Sequence, residues 1–334
     1  MTETPTAFTG TPRRSHFAAN LTAHVLMVWA LAVIIPLFGT VGFTVAVDPS
    51  GYFRLNGFGT YRSDELLIKS SLMQHRPHNA LLLGDSRAAF TDPGGIDGLT
   101  FFNAASGGAS LADADALLRR HDLEDIDLVV LMAPVGDIAG RCGTERSRLD
   151  DPLNLIRYGA TFDAFGQALS YLQHRISGAI PDHQLDGTRY PDSRVLTPAG
   201  WDGTRDARYQ TRVAAAAREA PLHSGLENLT VCGETLRAMQ ARIQKNGGEF
   251  LVVLAPINRD LLVASGTDMT AVRRMIQHQV VEKFPFVVDF TASDFSDRRN
   301  FPPRDPVHFR PEVGGTLLSA AVEEFCERNG ACTW

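Results

Sequence analysis

The sequence lacks the features that mark nucleic-acid-binding and metal-binding proteins. It contains no long run of Lys or Arg, and its formal net charge is -6. Nucleic-acid binding depends on a basic surface that neutralises phosphates, so we exclude that class. Neither Cys-x-x-Cys nor His-Glu-x-x-His occurs in the chain. We therefore expect no metal ion and no cofactor.

Charge is also missing from one long stretch near the start of the chain. Between Val25 and Val47 there is no Asp, Glu, Lys, Arg or His. At about 1.5 Å per helical residue this stretch extends for about 34 Å, enough to cross a hydrocarbon core of about 30 Å. We predict a transmembrane anchor over residues 25–47. A cleaved signal peptide and a buried core helix are the alternatives, although the stretch exceeds the usual signal core and no clean Ala-x-Ala site follows it.

The residues that flank this stretch predict its orientation. Arg13 and Arg14 precede it, and Asp48 follows it directly. Positively charged residues stay on the cytoplasmic side of a membrane. We therefore expect residues 1–24 to be a cytoplasmic tail, and residues 48–334 to form a domain that faces the periplasm or the cell exterior.

Cysteine is scarce, with four residues in the whole chain. The predicted compartment is oxidising and permits disulfides. Cys326 and Cys332 are placed to close a small loop near the C-terminus, which would leave Cys142 with Cys232. Three pairings are formally possible, and free buried thiols are a further alternative, so the sequence leaves the pairing open.

The rest of the chain alternates short apolar runs with stretches whose apolar residues recur every three or four positions. The runs indicate buried strands and the stretches indicate helices. This alternation predicts an α/β fold, in which helices cover both faces of a mainly parallel sheet and the ligand site lies beyond the carboxyl ends of the strands. The predicted strands are Ala80–Leu83, Phe101–Phe102, Leu128–Met132, Phe250–Leu254 and Phe286–Val288, and the predicted helices include Leu111–Arg120, Cys232–Lys245 and Met269–Lys283.

A long insertion separates the third and fourth predicted strands. It covers residues 140–230, which is far more chain than one crossover helix requires, and long insertions of this kind are often functional. A lid that shapes the substrate site is one interpretation, and a decoration without substrate contact is the other. We interpret Tyr190 and Trp201 as residues that pack within this insertion, with stacking on sugar rings as the alternative role.

A serine follows the first predicted strand, in the sequence Gly84-Asp85-Ser86-Arg87. A turn after a buried strand is where a nucleophile is presented, and the amide of the residue after Ser86 is placed to help bind an oxyanion. Serine is a poor nucleophile unless an adjacent base removes its proton. The tripeptide alone is weak support, because small polar residues often follow strands.

An acid and a base come together after the last predicted strand. Asp305 and His308 lie three positions apart on a loop, ahead of a helix that begins near Pro311. At this spacing Asp305 can bond one imidazole nitrogen and leave the other to face Ser86. The alternative is a surface turn with a satisfied histidine. Since Ser86 and the pair both follow strands of a parallel sheet, we expect them at the same edge.

Between these two segments lies a glycine-containing loop, residues 103–110, which reads Asn-Ala-Ala-Ser-Gly-Gly-Ala-Ser. It follows the second predicted strand and can present a glycine amide to a developing oxyanion. The order of Gly-Asp-Ser, glycine loop and Asp-x-x-His resembles the SGNH/GDSL hydrolases over about residues 79–327.

The resemblance implies a flavodoxin-like three-layer α/β/α fold and a catalytic triad of Ser86, Asp305 and His308. It also implies that the backbone amides of Ser86 and Gly108 bind the oxyanion. One block departs from the family pattern, which usually has Gly-x-Asn-Asp after the third strand. This chain has Gly136-Asp137 there, and an ionised Asp137 cannot donate a hydrogen bond. Either another group fills that role or activity is low.

The anchored layout is similar to that of membrane-tethered SGNH proteins of bacterial surface-polymer modification, among them relatives of alginate O-acetylation proteins and of the D-alanyl-lipoteichoic acid transfer protein. That similarity implies an acylated polysaccharide as substrate and a multi-pass membrane acyltransferase as partner. Arg87 is placed to hold an anionic substrate, with an ion pair to Asp85 as the alternative.

We predict a serine esterase or O-acyltransferase. The rival hypothesis is an inactive SGNH-fold protein that binds polysaccharide or assembles with the acyltransferase.

Overall fold

The computed structural model describes two long parts of the chain, residues 65–136 and most of residues 206–332, and some shorter pieces. The described residues are 24–29, 38–44, 46, 65–136, 146–151, 166, 168–169, 172–173, 176–177, 206–219, 229–266, 268–303, 305–330 and 332. The remaining residues include most of the insertion.

Five strands form one sheet, and every pair of neighbours is parallel. In chain order the strands are β1 (Ala80–Gly84), β2 (Phe101–Asn103), β3 (Leu128–Ala133), β4 (Glu249–Leu254) and β5 (Val287–Asp289). Across the sheet they lie in the order β2-β1-β3-β4-β5. This order reverses direction between β1 and β3, and ligands of open parallel sheets bind beyond the carboxyl ends of the strands at such a point.

Helices connect the strands. They are α1 (Glu65–Met73), α2 (Ser86–Ala89), α3 (Leu111–Arg120), α4 (Ala207–Glu219), α5 (Leu229–Lys245), α6 (Arg259–Ala264), α7 (Met269–Ile276) and α8 (Pro311–Asn329), with short 3-10 turns at Arg148–Asp150, Asp294–Ser296 and Arg298–Asn300 and a π turn at Gln277–Val281. Helix α3 begins with a capping box between Ser110 and Asp113, which satisfies amides that have no acceptor within the helix.

Burial along the strands shows that both faces of the sheet are covered. Consecutive residues of β3 are all buried, as are the first four residues of β1. Because successive side chains of a strand point to opposite faces, each face must pack against other elements. Helix α5 packs on β4, and α8 packs on β4 and β5. The result is a layered α/β domain with one hydrophobic core.

The prediction of an α/β fold with a parallel sheet is confirmed. Each of the five predicted strands is present, with ends that differ by at most one residue. One predicted helix differs: instead of continuing from Met269 to Lys283, the α-helix ends at Ile276 and widens into the π turn. The wider turn places Val280 and Phe284 in the core.

Part of the predicted anchor, residues 30–37, 45 and 47, lies outside the described residues. Residues 24–29 and 38–44 are helical, and the apolar side chains of residues 25–29 are exposed. None of the helices within the described ranges is both long enough and apolar enough to span a membrane.

The structure contains the disulfide that joins Cys326 to Cys332, with Cα atoms 5.2 Å apart. This was one of the predicted pairings. Cys232 is disulfide-bonded as well, whereas Cys142 lies outside the described residues.

A hydrogen-bonded Ser–His pair lies at the edge where β1 and β3 begin. Ser70 Oγ lies 3.0 Å from His121 Nε2, beside a cleft of about 430 Å³. Burial, followed by the charges of His78 and Arg120, lowers the pKa of His121 to about 4. The folded protein therefore keeps this ring neutral at pH values where the ring of an unfolded chain is protonated.

This difference predicts how stability changes with pH. Between about pH 6.5 and pH 4 the unfolded chain binds a proton that the folded chain does not, so the free energy of unfolding should fall as the pH falls, by at most about 3 kcal/mol. Denaturant titrations across this range should show a smaller slope for His121→Gln than for the wild type. His278→Gln is the control, because His278 is exposed. Equal slopes for His121→Gln and the wild type would contradict the prediction.

Candidate active site

The turn that carries Ser86 is shaped by its neighbours in the chain. Gly84 ends β1 with φ of 149°, and a Cβ atom there would lie 2.1 Å from the carbonyl oxygen of Met132. Only glycine fits so close to β3. Asp85 then caps helix α2, since its Oδ1 accepts a hydrogen bond from the Arg87 amide at 2.8 Å. Ser86 is therefore the first residue of a short helix at the carboxyl end of β1.

Asn103 ties this turn to the glycine loop that follows β2. Its fully buried amide nitrogen donates to the carbonyl oxygens of Ala88 and Thr91, both at 2.9 Å. Its Oδ1 accepts from the Ala105 amide at 3.1 Å. One side chain thus fixes the distance between the serine helix and the loop.

The loop that carries His308 is organised by Asp305. Oδ1 of Asp305 accepts from the backbone amides of Val307 and His308, at 3.0 and 3.1 Å. Oδ2 lies 2.8 Å from Nδ1 of the His308 ring. The rings of Phe90 and His308 form a T-shaped pair, with ring centroids 6.3 Å apart. These contacts fix the ring with Nε2 directed away from Asp305.

Ser86 and His308 meet although 222 positions separate them in the chain. Ser86 Oγ lies 2.7 Å from His308 Nε2, within hydrogen-bond distance. Together with the Asp305 contact, the order of atoms is hydroxyl, imidazole and carboxylate. This is the arrangement in which a base can take the proton of a serine while an acid holds the ring.

The Asp305 carboxylate is kept ionised. Burial alone would raise its pKa, but hydrogen bonding to the His308 ring, the charge of that ring and the two backbone amides outweigh burial, and the pKa of Asp305 is lowered. An ionised carboxylate at Nδ1 favours the tautomer that leaves Nε2 free to accept a proton, and it stabilises the imidazolium that follows.

The Arg87 side chain contacts Asp85 and the loop that carries His308. Its Nη1 lies 3.4 Å from Asp85 Oδ2, and its Nε donates to the Val307 carbonyl at 3.3 Å. The ion pair with Asp85 was one of the two predicted roles of Arg87. A contact with an anionic substrate stays a prediction. The Arg87 amide donates to Asp85, so it is not available to an oxyanion, and that expectation was wrong.

The glycine loop has one amide without an acceptor. The amides of residues 104–107, 109 and 110 all donate hydrogen bonds, to Leu82, Asn103, Gly84, Glu65, Ser106 and Asp113 respectively. Among residues 104–110, and within the part of the chain that the structure describes, the Gly108 N–H makes no hydrogen bond. Gly108 has φ of 65°, a conformation that glycine adopts without strain. Its amide is free to bind an anionic oxygen.

A helix of the insertion is attached near the carboxyl end of β4. The buried Tyr209 of α4 donates its hydroxyl to Asp260 at 3.1 Å and accepts from Asn258 at 2.9 Å. Arg298 forms a bidentate ion pair with the same Asp260. Burial raises the pKa of Tyr209, so the hydroxyl keeps the proton that it donates. Part of the insertion is therefore bound to the edge of the sheet that carries the site.

The structure brings together Ser86, Asp305 and His308, and it places Gly108 on an adjoining loop and Arg87 next to Ser86 in helix α2. Asp137, Tyr190 and Trp201 lie outside the described residues. Sequence reasoning gave no role to Asn103, Glu65 or Asp260. The signal for Asn103 was present, since a polar residue directly after a buried strand needs partners. For the two acids the sequence offers no comparable signal.

A scan against protein-family models gives no match for this chain, and a search of curated proteins finds none either. Its function is therefore inferred from the residues and their geometry.

Gly84→Ala should destabilise the protein, because the added methyl group would overlap the Met132 carbonyl. We expect a loss of roughly 3 kcal/mol in the free energy of unfolding, measured by denaturant titration. Gly95→Ala is the matched control: Gly95 also has positive φ, but its Cβ would meet no atom within 4 Å, so only backbone strain of about 1 kcal/mol is added. Equal losses for the two variants would show that Gly84 is not constrained by the contact with β3.

Proposed function

We propose that this protein is an SGNH-type serine esterase or O-acyltransferase. The observation that carries the proposal is the 2.7 Å contact between Ser86 Oγ and His308 Nε2, with Asp305 on the other ring nitrogen. The strand order 2-1-3-4-5 supports the flavodoxin-like form of the fold. The position of Ser86 after β1, of Gly108 after β2 and of His308 after β5 agrees with the motif order of that family.

The proposed reaction begins when Ser86 Oγ attacks the carbonyl carbon of an ester while His308 Nε2 takes the hydroxyl proton. The carbonyl oxygen becomes negatively charged and is bound by the amides of Gly108 and Ser86. The Ser86 amide suits this role because the first amides of a helix have no acceptor within it. The ester C–O bond then breaks, and His308 returns the proton to the leaving alkoxide.

An acyl group on Ser86 can pass to one of two acceptors. Attack by water releases a carboxylic acid and makes the protein an esterase. Attack by a sugar hydroxyl makes it an O-acyltransferase. We propose acyl esters of a bacterial cell-surface or secreted polysaccharide as the substrate class, and a multi-pass membrane acyltransferase as a partner.

The proposed location is the periplasmic face of the inner membrane, with residues 25–47 as the anchor. The uncharged stretch supports this location, as do the exposed apolar side chains of Val25, Leu26, Met27, Val28 and Trp29. Exposed apolar residues in a row mark contact with a membrane or a protein partner.

Labelling with a fluorophosphonate tests the nucleophile. We expect the wild-type protein to be labelled on Ser86, and Ser86→Ala and His308→Ala each to abolish labelling and ester turnover. Because members of a triad act as a unit, the double variant should be hardly worse than either single variant. Ser70→Ala is the matched control, since Ser70 is also hydrogen-bonded to a histidine but lies at the opposite edge of the sheet.

Two outcomes would contradict the enzyme proposal. A folded wild-type protein that resists the probe would favour the rival hypothesis, a binding or assembly protein without catalysis. Loss of labelling in Ser70→Ala, with labelling retained in Ser86→Ala, would place the nucleophile at the other pair. Circular dichroism of each variant shows whether the fold is intact.

Membrane fractionation tests the anchor. We expect the full chain to remain with membranes after carbonate extraction, and a variant that begins at residue 48 to be released. Release of the full chain together with loss of its first residues, detected by mass spectrometry, would instead support a cleaved signal peptide.

A further inference from the structure

The direction of the Gly108 N–H is set by the peptide group to which it belongs. That group consists of the carbonyl of Gly107 and the amide of Gly108, and it is planar with the two groups pointing in opposite directions. Any contact that fixes the Gly107 carbonyl therefore fixes the Gly108 N–H as well. Three described side chains outside the loop hold Gly107 and its neighbours.

The first contact comes from a buried ion pair on α1. Glu65 Oε2 accepts the Gly107 amide at 3.0 Å, and its Oε1 lies 3.1 Å from Lys69 Nζ. The Lys69 side chain is fully buried and also donates to the Ala105 carbonyl. Burying two charges costs free energy even when they are paired. The pair nevertheless forms hydrogen bonds with two backbone groups of the glycine loop, the Gly107 amide and the Ala105 carbonyl.

The second contact is made by Arg148. Arg148 Nη1 donates to the Gly107 carbonyl at 3.4 Å, while its Nε lies 3.1 Å from Asp113 Oδ2. Asp113 Oδ1 also accepts the Arg148 amide at 2.8 Å, so the arginine is held from two directions. A cation at the carbonyl oxygen also polarises the peptide and makes its N–H a better donor.

We infer that Glu65 and Arg148 are positioning residues for the Gly108 amide, and that they direct this N–H to the oxyanion that forms at Ser86. The inference rests on the proposed function, because it assigns how one group of that site is oriented. Neither residue touches the substrate. Their effect is on the transition state, in which the oxyanion exists, and not on the bound ester.

The first test is Arg148→Ala in the full-length protein, with p-nitrophenyl acetate as the ester. We expect kcat to fall about tenfold with little change in KM, since a misdirected oxyanion donor lowers only transition-state stabilisation. Arg148 is about half exposed, so the variant should fold. Arg119→Ala is the matched control, because Arg119 binds Asp150 of the same 3-10 turn without touching the loop.

The second test removes the buried pair as a unit, in Glu65→Leu combined with Lys69→Met. Replacing both charges by apolar groups of similar size avoids leaving one charge buried alone, and such exchanges often keep the fold. We expect a kcat loss of the same kind, and faster deuterium exchange in a peptide that spans residues 104–110, because the Gly107 amide loses its acceptor. Ser70→Ala controls for a change elsewhere on α1.

The outcomes separate this inference from the proposed function. If the wild-type protein neither turns over the ester nor reacts with a fluorophosphonate, the proposed function fails. If the wild type is active but both test variants match their controls in kcat, the positioning inference fails. A rise in KM with kcat unchanged also overturns it, since that pattern belongs to a residue that binds substrate.

Discussion

The site depends on the hydrogen bond between Ser86 and His308, which joins the first and last parts of the domain. The sheet creates this contact, because all strands are parallel and the loops after β1 and β5 emerge at one edge. In the strand order, β3 and β4 lie between these two strands, so the loops must extend across the edge to meet. The interactions around the site fix how far each loop extends.

Each loop is fixed by side chains that bond backbone groups of another segment. Asn103 joins the serine helix to the glycine loop, and Arg87 joins the serine helix to the His308 loop. Such bonds between segments distant in sequence restrict both partners at once. A reactive group placed on loops can then be held nearly as firmly as one on a strand, which a preorganised site requires.

Much of this arrangement could be predicted from the sequence, and the limits have physical causes. Apolar runs located the five strands, and the joint placement of Ser86 and the Asp305–His308 pair predicted their meeting. Helix α1 was not predicted, because Lys69 would ordinarily be assigned to a solvated face, yet its side chain is fully buried. That burial depends on the carbonyl of Ala105 and on Glu65, and a sequence does not show which distant groups a buried charge will meet. The catalytic roles themselves stay predictions.

The carboxylates around the site differ in whether their partner side chain always carries a positive charge. Four of them carry permanent cationic partners, which are Lys69 for Glu65, Arg87 for Asp85, Arg148 for Asp113 and Arg298 for Asp260. In the proposed ester reaction, a carboxylate without such a partner would oppose a developing oxyanion nearby, and these pairings reduce that opposition. Asp305 is different, because its partner is a histidine, which in the proposed reaction gains a positive charge when it takes the proton of Ser86. The attraction between Asp305 and His308 is therefore stronger in the transition state of the proposed reaction than in its ground state. An interaction that strengthens in this way lowers the barrier of the reaction.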